Sequence, residues 1–233
     1  MTNSSLPRVA VVAIAVTALT SSALAQQTPP LTPAEIEAAY AAAIRDRTKD
    51  IVALLDLTDA AKSNRVMELI MAQYRALRSR DETIKEKVKS TGKTGDAAVD
   101  RASLFVTMSK PLHDQFLTKL ATELTPDQVE KVKDKMTYNK VKVTYDAYCA
   151  IIPGLTDADK AKILEQLKLA REEAIDGGSA NEKSEIFQKY KDKINEYLNA
   201  HGHDVAKAYA EWNAKQEQAE KDKSSGGGAP SPK

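Results

Sequence analysis

Tyr138, Asn139, Tyr145 and Tyr148 fall within the single stretch TYNKVKVTYDAY and are residue types that hold a flat, hydroxylated ligand. Aromatic faces stack on the apolar face of a sugar ring, while an amide meets its hydroxyls. The competing reading makes Tyr145 and Tyr148 core residues whose hydroxyls reach the rim of the fold. Tyr138-Asn139 suggests a turn, and Val141 and Val143 alternate with Lys140 and Lys142 like a brief extended piece. The sequence therefore predicts that residues 137–143 leave the helical regime and present their rings at an accessible hollow.

Other reactive residue types are spaced less favourably for chemistry. Gly92-Lys93-Thr94 has the letters that end a phosphate-binding loop, but Lys87 stands where the first glycine belongs and no strand precedes it. His113, His201 and His203 include only one close pair, and a zinc site needs three or four convergent donors. Helix-end positions beside C-terminal carbonyls account for His201 and His203. Glu172 with Glu173, and Asp157 with Asp159, fit capping and charge pairing before acid–base hydrolysis. Cys149, the sole cysteine, sits among apolar neighbours and is expected to be a buried small hydrophobe. No catalytic residue, metal or cofactor is assigned, and a non-enzymatic role is expected.

Positioning these residues calls for helices. Thr32-Pro33 with Glu35, Leu124-Thr125-Pro126 with Gln128, and Ser179 with Glu182 are capping boxes, each followed by apolar residues at helical spacing. Further starts are expected at Thr58 or Asp59, Asp96, Thr144, Thr156 and Asp204, and Pro111 predicts a kink within the third helix. The fold class is all-α, a single domain of about eight helices over residues 32–222. IVALLDLTDAAK at Ile51–Lys62 aligns without gaps on CAIIPGLTDADK at Cys149–Lys160, which predicts two echoed helical hairpins.

The chain begins with one basic residue, Arg8, an apolar run from Val9 to Ala18, and Ala23-Leu24-Ala25, the layout of a secretory signal cleaved after Ala25. The expected mature protein has a short arm at 26–31 and a disordered tail at 223–233, and it lies in the periplasm or outside the cell. No apolar stretch is long enough to span a bilayer. Without Arg8 the charges balance at 33 basic and 33 acidic. Nucleic acid needs a clustered basic surface, so that partner is disfavoured.

LTPDQVEKVKDKMTY, VTYDAY, IPGLTDADKAKIL, AREEAIDGGSANEK and FQKYKDKINEYLNAHGHD together resemble an uncharacterised family of exported bacterial helical proteins, a domain of unknown function provisionally described as sugar-binding. The likeness runs from about Ala39 to Trp212 and implies a carbohydrate partner. Leu124-Thr125-Pro126-Asp127-Gln128 is also similar to the Leu-Thr-x-x-Gln motif of small periplasmic stress chaperones, which implies a protein client instead.

Overall fold

A computed structural model describes the backbone of residues 31–91 and 94–225 and the side chains of 31–90 and 100–222. The expected signal, the Gly92-Lys93 pair and most of the expected tail at 223–233 lie outside these residues, while the backbone of 223–225 is the helical end of the last helix. Among the described residues there are eight helices and no strand: α1 (Pro33–Ala53), α2 (Ala60–Thr91), α3 (Thr94–Glu123), α4 (Pro126–Met136), α5 (Lys140–Ile151), α6 (Asp157–Ala174), α7 (Ala180–Ala200) and α8 (Val205–Ser225).

The helix starts follow local hydrogen-bond chemistry. Thr32 and Thr125 each accept from the N–H three residues on, and Glu35 and Gln128 reach back to the cap N–H. Thr156 and Asp159 form the same box at α6. At α2 the cap is Asp59, whose Oδ1 accepts from Ala61 and Lys62. Ser179 caps α7, but Glu182 accepts instead from the N–H of Gly178, one residue before the cap. α3 starts at Thr94, two residues before the expected Asp96, and continues as helix through Pro111.

Helices α1–α4 close one core around Ile51, Ile70, Leu120, Val132 and Met136. Helices α5–α8 close a second around Tyr148, Ile163, Leu167, Ile194 and Leu198. Both halves repeat one pattern of neighbours: first helix on second, second on third, and the fourth on the first and third. The aligned stretches Ile51–Lys62 and Cys149–Lys160 occupy matching corners, α1 to α2 and α5 to α6. Asp56 and Gly154, which share one alignment column, both take left-handed backbone, at φ 51° and 73°. The echo in the sequence is thus an echo in the fold.

Residues 137–143 are not the extended piece that alternation suggested. Only Thr137–Asn139 lie between α4 and α5, and Lys140 to Val143 form the first turn of α5. Val141 points inward at 8% exposure while Val143 is 63% exposed. A helix separates residues two apart by about 200°, so one valine inside and one outside satisfies helical as well as strand geometry. Cys149 also departs from expectation: it is exposed, because the inward stripe of α5 runs through Val141, Tyr148 and Ile152.

The halves meet where α4 packs on α6. Arg171 of α6, 4% exposed, donates to Asp134 at 2.6 Å, to Glu172 at 3.2 Å and to Glu130. Lys133 bridges Glu130 and Glu172 from the other side. Four residues along, Ile175 leaves α6 and is wholly buried in the α1–α4 core. Replacing Arg171 by Met should lower the unfolding free energy by about 2–3 kcal/mol, at or below the low end for a buried pair because the carboxylates themselves reach solvent. Urea unfolding measures it, and an unchanged midpoint would show that the network sets register without adding stability.

Candidate functional site

Helix α4 ends in a Schellman motif: the N–H of Asn139 bonds the carbonyl of Asp134 at 2.7 Å and that of Tyr138 bonds Lys135 at 3.1 Å. The motif demands a left-handed residue, usually glycine, at the position Tyr138 fills with φ 60°, and Asn139 follows at φ 54°. A side chain there carries strain of about 1–2 kcal/mol. The same motif ends α7, with His203 bonding Leu198 and Gly202 bonding Asn199, and there the left-handed position is glycine. Tyr138 is 45% exposed, so the strained turn holds an aromatic ring out in solvent.

The four expected site residues separate in space. Tyr148 is 1% exposed within the second core, its hydroxyl donating to Asn195 at 2.7 Å and to the Lys191 carbonyl. Burial pushes its pKa above the ordinary tyrosine value. Tyr145 packs on the same core, and its hydroxyl meets Cys149, which raises its pKa. Tyr138 belongs instead with the first half. Burial lifts the pKa of Tyr74 to about 12, and Arg47, Tyr138 and Tyr40 are all near enough to act on it. Tyr40 donates to the Tyr74 carbonyl at 2.8 Å, and the Arg78 guanidinium lies 4.2 Å over the Tyr40 ring.

A cleft of about 390 Å³ opens where the α6–α7 loop lies against α2 and α3. Asp81 and Lys85 of α2, Arg101 and Phe105 of α3, and Glu182 of α7 line it. Both carboxylates lean on Gly178. Its N–H donates to Glu182 at 2.8 Å, and a Cβ at this position would stand 1.7 Å from Asp81 Oδ2. Only glycine lets the loop approach that closely.

A buried polar layer adjoins the cleft. Arg80, 2% exposed, donates to Asp81 and to Ser109 at 2.8 Å and stacks 4.5 Å from the Phe105 ring centre. Lys183, 3% exposed, donates to the terminal α6 carbonyls of Ala174 and Ile175, and burial lowers its pKa to about 8. His113 of α3 meets Asp176 Oδ2 at 3.0 Å, and this bond raises the His113 pKa. The other oxygen, Asp176 Oδ1, is buried with no hydrogen-bond partner among the described residues.

The remaining histidines are occupied at helix ends. His201 Nδ1 lies 2.7 Å from the Tyr197 carbonyl, and His203 lies 3.1 Å from Asp159. Asp159, which also accepts from Thr156, is held at a pKa of about 2, chiefly by the Thr156 bonds. Glu172 pairs with Lys133 and Arg171, and Glu173 with Lys189 and Tyr190. Among the described residues no three histidine, cysteine or carboxylate side chains converge as metal ligands, and no helix is long and apolar enough to cross a membrane.

Of the cleft residues, Glu182 stood out in the sequence only as a capping partner for Ser179, and none stood out as part of a site. Two signals were present: Arg80 sits in register with Leu77 and Ile84 on an apolar stripe, and Gly177-Gly178 follow an aspartate between two helices. An arginine on a core-facing stripe announces a buried charge that something must satisfy.

The architecture is that of an all-helical protein built from two similar four-helix units. The chain belongs to the family described as a protein of unknown function, DUF3826, whose model matches residues 41–218. No curated protein matches it.

Two measurements test the site geometry. Tyr138→Gly should raise the unfolding free energy by about 0.5–1 kcal/mol by relieving the left-handed strain, and a lower thermal midpoint would show that the ring packs usefully. For His113, the folded pKa lies above the unfolded value near 6.5, so its pair with Asp176 contributes fully below that pH and is lost as pH rises through the folded pKa. The stability gap between wild type and His113→Asn should therefore narrow from pH 5.5 to 8.5 in urea titrations; a constant gap would contradict the pairing.

Proposed function

We propose that the protein is an exported, non-enzymatic helical module that binds a saccharide in the cleft between α2, α3 and the α6–α7 loop. One observation carries this reading: Phe105 stands in one cleft with two carboxylates, Asp81 and Glu182, and the guanidinium of Arg101. A sugar ring offers an apolar face to an aromatic side chain and vicinal hydroxyls to carboxylates and guanidinium groups. Two acids against Lys85 and Arg101 leave the lining close to neutral, which suits an uncharged ligand. Carboxylates held in place by Arg80 and by the Gly178 N–H are pre-ordered, so binding costs little side-chain entropy. The proposed export suits this ligand, since the signal-like leader would deliver the chain to where glycans are met.

A glycan array with the mature protein tests this. Wild type should bind at least one neutral glycan, and Phe105→Ala and Glu182→Gln should each weaken it about tenfold or more. Tyr138→Ala should leave that binding unchanged; its loss there would move the site to the α4–α5 turn. A silent array together with suppressed aggregation of an unfolded protein would favour the chaperone-like alternative.

A further inference from the structure

A second surface has a different charge character. Tyr40 and Arg47 lie seven residues apart on α1, about 10 Å along one face. Tyr74, Arg75 and Arg78 come from the adjoining stretch of α2, and Tyr138 comes from the α4–α5 turn. The Tyr40 hydroxyl on the Tyr74 carbonyl, and the Arg78 guanidinium over the Tyr40 ring, fix these elements against one another. Arg47 and Arg75 both lie close enough to act on the Tyr40 hydroxyl.

The cations here are unevenly matched. Arg78 is taken by Glu37 at 2.9 Å and Glu82 at 3.1 Å, and Asp46 faces Lys49. Arg45, Arg47 and Arg75 are exposed and form no ion pair with another described residue. On α4, Glu130 and Asp134 turn toward the buried Arg171, and neither Lys135 nor Lys140, on either side of Tyr138, has a carboxylate partner among the described residues. Neutralising the α4 acids from within thus leaves the neighbourhood of the turn net positive, although the whole mature chain is balanced.

We propose that the face carrying Tyr138, Tyr74, Tyr40, Arg47 and Arg75 binds an acidic polysaccharide, one whose sugar units carry carboxylate or sulfate groups. It takes the general ligand class from the saccharide reading but does not depend on the cleft. Guanidinium groups pair with planar carboxylates through two parallel hydrogen bonds, a geometry lysine cannot offer. Tyr138, held away from the helix by its left-handed backbone, supplies an open stacking face at the end of the row. Tyr40 and Arg47 alone span about 10 Å along α1, which fits an extended chain better than a single sugar. A nucleic acid would need a broader basic surface than a charge-balanced protein with one well-exposed ring provides.

The test uses the mature protein and a polyuronate, compared with the same polymer after methyl esterification, by affinity electrophoresis. Wild type should be retarded by the acid form and at least tenfold less by the ester, and the retardation should fall as salt rises from 50 to 300 mM. The double variant Arg47→Gln/Arg75→Gln should lose about tenfold and Tyr138→Ala several-fold, with thermal midpoints within about 2 °C of wild type. Phe105→Ala should be retarded as strongly as wild type; its loss would place polymer binding in the cleft and overturn the proposal. Equal retardation by the ester, or by single-stranded DNA of matched charge, overturns it too. If the array finds no neutral ligand while polyuronate still binds, the cleft reading fails and this one stands.

Discussion

The guanidinium of Arg171 is the constraint on which the rest of the arrangement depends. An unpaired charge at 4% exposure would be prohibitively costly, so α4 must present Asp134 and Glu130 to it, and α4 can do so only in one register against α6. That register seats Ile175 in the opposite core, where burying an isoleucine contributes about 1.5–3 kcal/mol. Polar specificity and apolar stabilisation therefore meet within one helical turn of α6. Three residues further on, Gly178 braces Asp81 and Glu182 of the cleft, so the site inherits its geometry from the junction of the two halves.

Repetition explains the architecture, and departure from repetition explains where a site can form. α2 has 32 residues where its counterpart α6 has 18, and α3 has 30 where α7 has 21. The longer hairpin continues past the end of the shorter one, and the α6–α7 loop rests against its flank. Two equal hairpins would leave no such step. Arg80 and Lys183 lie at this step and are buried there, each satisfied by different partners: Arg80 by a carboxylate and a hydroxyl, Lys183 by the carbonyls that end α6.

The two Schellman motifs show a second asymmetry. The chain uses glycine at the left-handed position after α7, where φ is 90°, and tyrosine at the same position after α4. Backbone strain at an exposed aromatic residue is a cost that folding alone does not require. It turns the Tyr138 ring toward the α1–α2 face and away from Tyr145 and Tyr148, which the sequence places only a few residues on.

Helix content, the capping boxes at Thr32 and Thr125, the helix start at Thr156, the inward stripes and the echo between Ile51–Lys62 and Cys149–Lys160 are local, written in spacings of three and four residues and in side chains that bond their own backbone. They were legible in the amino-acid order for that reason. Period alone misled at Val141 and Val143, because two residues cannot distinguish a strand from the in-and-out faces of a helix turn, and at Cys149, where one residue along α5 rotates a side chain by about 100°. The partners of Arg80, Arg171 and Lys183, the separation of Tyr138 from Tyr148 and the meeting of Asp81, Arg101, Phe105 and Glu182 were decided by tertiary structure. Each joins residues distant in the chain, and what brings them together is the packing of one four-helix unit against the other, which no local pattern encodes.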